Sequence, residues 1–201
     1  MNKYKTLIIF DWDDTLFPTT WLVKNNIELI NEQMQNKYIV TFSKLDNLLY
    51  KLLSSITKYG KVIIVTNAVY KWIDISLIML PNTKQLIKRN IPIISAQDHY
   101  QEKYPGKMEY WKKMTFQTLT FNHFNTYPFQ NIISIGDAEH EFNALINLYN
   151  ENSVTKKKLL KTLRFIREPS FDALIDQLEV LNNCHLKIVS SKKHMDLFFK
   201  S

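Results

Sequence analysis

Apolar positions along the chain follow two patterns. Short runs at 6–10, 61–66 and 131–135 are apolar almost throughout, as expected of strands buried on both faces of a parallel sheet. Between them, apolar residues recur at three- and four-residue spacing. One such stretch opens at Thr19 or Thr20, carries Leu22, Val23, Ile27, Leu29 and Ile30, and runs to about Asn36. A second opens with Ser43 as a cap, carries Leu45, Leu48, Leu49, Leu52, Leu53 and Ile56, and closes at Gly60. Helices are further predicted over about 69–80, stopped by Pro81, then to about 89, and over 108–121, 139–149 and 170–181. Strands are predicted over 91–95, with Pro92 demoting it to an edge, and over 160–166; 97–106 reads as loop and 186–189 as a further edge strand.

Strands alternating with helices predict an α/β fold: a Rossmann-like, doubly wound, mainly parallel sheet. A chain of 201 residues with 45% hydrophobic content suits one domain over 1–201, with room for no more than a small helical cap insert around 19–40. The expected result is a minimal cap, or none, and an open cleft. No apolar segment reaches the roughly 20 residues that span a bilayer, so no membrane partner is expected. The N-terminal apolar run is short and is followed by three Asp, unlike a signal peptide. Cys184 is the only cysteine, which excludes an internal disulfide and fits a reducing, cytoplasmic location.

The net charge of +7 comes almost wholly from lysine, since Arg89, Arg164 and Arg167 are the only arginines. Planar, bidentate reading of bases or phosphates favours Arg, so sequence-specific nucleic-acid binding is not expected. A lysine-rich surface fits diffuse attraction of anionic substrates.

The chemistry gathers where the apolar runs end. The first run leads straight into Asp11, Asp13 and Asp14, followed by Thr15. Carboxylates packed together are costly unless a cation or substrate compensates. The second run ends in Thr66 and Asn67, and the fourth in Gly136 and Asp137, with Glu141 one helical turn later. In a parallel sheet such ends converge at one edge. A lysine is available near the start of the 108–121 helix: Lys107, Lys112 or Lys113.

Asp-Trp-Asp-Asp-Thr, then Thr66, then lysine, then Gly-Asp with a following acid resembles the haloacid dehalogenase superfamily over residues 6 to about 149. The segment from Phe10 to Leu22 also resembles a branch of that superfamily found in unicellular eukaryotes. The resemblance implies a Mg²⁺-dependent phosphatase of phosphoric monoesters, and the expected open cleft fits a small phosphorylated molecule or a phosphoprotein as substrate. Asp11 would be the nucleophile that forms an aspartyl-phosphate, and Asp13 the general acid and base. Thr66, Asn67 and Lys112 would bind the phosphoryl group. Asp11, Asp13 (through its backbone carbonyl) and Asp137 would bind the metal, with Glu141 or Glu139 supporting it. Asp14 would brace the following turn. The alternatives are a phosphomutase or phosphotransferase of the same superfamily, or a non-catalytic protein that holds RNA or other anions. Trp12, Phe17 and Trp21 could wall the cleft or simply pack helix against sheet.

Overall fold

The computed structural model describes residues 5–124, 129–151 and 158–200. Six strands form a single sheet: β1 (Thr6–Phe10), β2 (Lys61–Thr66), β3 (Ile93–Ser95), β4 (Asn131–Gly136), β5 (Leu159–Arg164) and β6 (Met195–Phe198). Their order is β3-β2-β1-β4-β5-β6, and every pair is parallel. This is a Rossmann-like, doubly wound α/β fold. The chain winds outward from β1 through β3, then returns to β4 on the other side of β1. The carboxyl ends of β1 and β4 therefore flank the switch point where such sheets bind ligands.

The helices are α1 (Thr19–Lys24), α2 (Glu32–Ile56), α3 (Tyr70–Ser76), α4 (Pro81–Asn90), α5 (Ala96–Tyr100), α6 (Met108–Phe124), α7 (Glu139–Glu151) and α8 (Phe171–Ser190), with a short 3₁₀ turn at Leu77–Met79. Successive strand side chains point to opposite faces, so one run supplies two cores. Ile8, Phe10, Ile64 and Ile133 join Leu45, Leu49, Ile87 and Leu174 from α2, α4 and α8. Leu7, Ile9, Val65 and Ile132 join Trp111, Phe116, Leu145 and Leu148 from α6 and α7. Burial on both faces is why these strands read as continuous apolar runs.

Four expectations about elements need correction. The stretch from Thr19 is not one helix to Asn36. It stops at Lys24, and Asn26 then takes a left-handed φ of 51°. Ser43 does not open the next helix: its hydroxyl donates back to the Ile39 carbonyl, four residues earlier, inside an unbroken α2. The cap is Asn31, whose side chain accepts from the Gln33 and Met34 N–H groups. Residues 97–106 hold the short helix α5, which begins at Ala96 with Ser95 as its N-cap. Finally, 186–189 is helix, not strand. α8, capped by Ser170, continues to Ser190, and the edge strand is β6 further on.

The segment between β1 and α2 packs into the main core through Leu22, Ile27 and Leu29. Trp12 and Phe17 are wholly buried and stack with centroids 5.9 Å apart, which makes them packing residues. Trp21 packs against Phe42 and Phe171. Among the described residues, no helix is long and apolar enough to cross a membrane.

Candidate functional site

The register of the three central strands sets out the site. Phe10 lies level with Ile64 on β2 and Ile135 on β4. Asp11 extends the ladder by one bond, its N–H donating to the Ile135 carbonyl at 2.8 Å. Thr66 and Asp137 follow on the neighbouring strands, so all three emerge at the carboxyl edge of the sheet.

Lys112, in the second turn of α6, is the lysine that arrives there. Its Nζ is 2.7 Å from Asp11 Oδ1 and also donates to Glu141 Oε1. It is 2% exposed. Lys107 instead sits over the Tyr110 ring, 5.4 Å from its centroid. The amino end of α6 is tied in place by two contacts: Asn67 Nδ2 donates to the Met108 carbonyl at 3.4 Å, and Trp111 Nε1 to the Tyr104 carbonyl at 2.7 Å.

Glu141 is held twice. Besides receiving Lys112, it accepts from the Ala138 N–H at 3.1 Å, so it folds back over the start of α7 as a capping glutamate does. That fold-back needs Gly136: a Cβ there would lie 2.3 Å from Glu141 Cγ. Glu139 points elsewhere, to Arg164 at 3.3 Å. Arg164 is itself bonded to Asp196 and lies 3.6 Å above the centre of the Phe142 ring.

Asp11, Asp137 and Glu141 can each offer an oxygen, and those oxygens all lie within 4.8 Å of one another. Burial, opposed by Lys112 but reinforced by the surrounding carboxylates, lifts Asp11 well above the ordinary carboxyl range. Burial and Glu141 push Asp137 up to about 7. Burial alone would lower Lys112, but Asp11 and Glu141 overcome it and hold the ammonium above its ordinary value. Three carboxylates thus face one ammonium. The deficit of two positive charges, and an all-oxygen donor set, fit a hard divalent cation.

Asp13 stands apart from this cluster. Its carboxylate accepts from three neutral donors on three elements: the Thr19 hydroxyl of α1, the Trp72 indole N–H of α3 at 2.8 Å and the Thr66 hydroxyl of β2 at 3.3 Å. Asp14, at a left-handed φ of 53°, accepts from the Thr20 N–H at 2.9 Å and from its hydroxyl, so it secures the start of α1. Thr66 also accepts from the Ala68 N–H.

The structure thus brings Asp11, Lys112, Asp137 and Glu141 into one cluster, with Thr66 and Asn67 beside it on the β2 edge. Sequence reasoning missed Trp72 and Thr19. The position of Trp72 in the first turn of the helix that follows Thr66 is the signal that could have found it. It also missed that Glu141 grips the lysine. Comparison with known proteins finds no matching family model, no matching curated protein and no matching solved structure.

Proposed function

We propose that this protein is a Mg²⁺-dependent hydrolase of phosphoric monoesters, with Asp11 as nucleophile. The observation that carries the reading is the buried cluster at the switch point, in which Asp11 is paired with Lys112 and flanked by Asp137 and Glu141.

Asp11 and Asp137 would hold the cation, joined by the Asp13 backbone carbonyl. When bound, it supplies the charge neutralisation that two meeting anions require. The remaining chemistry falls to the chain's own groups. Asp11 attacks phosphorus in line, forming a carboxylate O–P bond as the ester O–P bond breaks. Asp13 gives a proton to the departing alkoxide. It then takes one from the water that attacks phosphorus, which releases phosphate and restores Asp11. Lys112 offsets charge on the phosphoryl oxygens, the Thr66 hydroxyl can turn from Asp13 to donate to them, and Glu141 keeps the ammonium in place. The resemblance to the haloacid dehalogenase superfamily supports the same assignment.

The test is phosphate release from phenyl phosphate with Mg²⁺, wild type against Asp11→Asn, with no acceptor alcohol or sugar present. Release by the wild type alone is expected. Activity surviving the substitution removes Asp11 as nucleophile, and strict dependence on an added acceptor would favour a phosphotransferase.

A further inference from the structure

A groove of about 440 Å³, within the range of small-molecule sites, shares Trp72 with the surroundings of Asp13. Leu22, Val23, Leu29, Ile30, Trp72 and Ile75 are among its walls. We infer that this groove receives the leaving group of the substrate, and that the preferred substrates are monoesters of apolar alcohols, alkyl or aryl. The inference rests on the phosphatase reading and adds the substrate class.

Continuity with the reacting atoms comes first. Trp72 forms part of the groove wall, and the same indole donates its N–H to Asp13, the group assigned to protonate the leaving oxygen. Helix α1 makes the second link. Its first residue, Thr19, holds Asp13, and Leu22 and Val23 in its next turn line the groove. Thr19 and Leu22 are three residues apart, about 4.5 Å along the helix axis, so the residue that holds the acid and the groove wall lie within one turn of each other. A chain attached to the protonated oxygen therefore has a short path into it.

Charge separates the two ends. Among the described residues, no lysine or arginine lines the groove, and its charged residue is Glu28. A phosphoryl group would be repelled there and attracted to Lys112. The apolar part of an ester would behave in the opposite way. Val23 and Ile30 are 70% and 69% exposed on the rim, an arrangement that leaves apolar surface in water until something covers it.

The experiment measures kcat/KM for linear alkyl monophosphates from methyl to octyl with Mg²⁺. The proteins are wild type, Val23→Asp, Ile30→Asp and, as a control away from the groove, Val40→Asp. Both rim residues and Val40 are exposed, so these changes leave the core intact. The expected wild-type result is a rise of roughly fourfold per added methylene until the groove is filled. Ile30→Asp and Val23→Asp should flatten that slope, and Val40→Asp should keep it. A flat wild-type series, or a slope that both rim variants retain, overturns the groove assignment and leaves the phosphatase reading standing. No turnover of any member, methyl phosphate included, overturns both.

Discussion

Asp11 and Asp13 are two residues apart, yet the protein treats their carboxylates in opposite ways. Asp11 and Glu141 are buried beside a half-buried Asp137, and among the described residues the compensating group is the Lys112 ammonium. Asp13 is surrounded by neutral donors: a hydroxyl from α1, an indole from α3 and a hydroxyl from β2. The first arrangement is short of positive charge and is costly until a cation arrives. The second is fully supplied with hydrogen bonds and fixes an orientation. The proposed nucleophile, beside a cation, and the proposed carrier of protons would need these two different environments. The contrast can be broken at either end.

The largest effect is expected at Asp11. Asp11→Asn keeps the shape and removes the oxygen anion proposed to attack, so kcat should fall by about 10⁴-fold or more. Thermal stability should hold or rise, because a carboxyl raised by burial is replaced by a neutral amide. Loss of activity together with loss of folding would point to a structural role. Next comes Lys112→Met. Removing the ammonium strands Asp11 and Glu141 together in a dry site, and the expected loss of stability is about 3–5 kcal/mol in denaturant titration. A loss under about 1 kcal/mol would show that water already solvates the cluster. On the other side of the comparison, Asp13→Asn should lower kcat by roughly 10²–10³-fold. It should leave Mg²⁺ affinity unchanged in titration calorimetry, because the Asp13 side chain lies outside the cation cluster.

The two environments also differed in how legible they were in sequence. The cluster was readable because its members stand at strand ends, and parallel strands bring their ends together whatever the helices do. Lys112 was harder. Lys107, Lys112 and Lys113 are alike as residue types, and the turn of α6 that faces the sheet separates them. The donors around Asp13 were not readable. Trp72 reaches it because the short β2–α3 connection starts α3 beside the strand end, a matter of helix placement. The same limit explains the helix boundaries. Ser43 has a capping residue's chemistry, but its hydroxyl finds the Ile39 carbonyl in mid-helix, and Asn31, twelve residues earlier, caps instead. At 186–189, Ile188 and Val189 continue the helical face of Leu178 and Leu181, so the tertiary contact favoured helix over a short apolar run.

Metal removal gives a smaller, pH-dependent effect. Asp137 ordinarily titrates near 3.8 and here is pushed to about 7 by burial and Glu141. Between those values the folded protein holds a proton that the unfolded chain has released. The stability of the metal-free protein should therefore fall as pH rises from about 4 to about 7, by on the order of 2 kcal/mol after allowance for solvent screening. A bound cation competes with that proton. The gap in Tm between the Mg²⁺-loaded and metal-free protein should widen from about pH 5 to about pH 8. A gap that does not change with pH would remove Asp137 from the cation site.

The smallest effect tests the donor side most sharply. Trp72→Phe keeps a ring against Phe17, now 6.1 Å away edge-on, and keeps the groove wall, but it deletes the N–H that reaches Asp13. One lost hydrogen bond corresponds to about a tenfold fall in kcat. If Trp72 positions the proton donor, that fall should depend on the leaving group. Alkyl phosphates, whose alkoxides must be protonated to depart, should lose the full factor. Nitrophenyl phosphate, whose phenolate departs unaided, should lose little. An equal loss on both esters would mean that the indole merely supports the fold. Thr19→Val, which deletes a different donor to the same oxygen, should then show the leaving-group dependence alone.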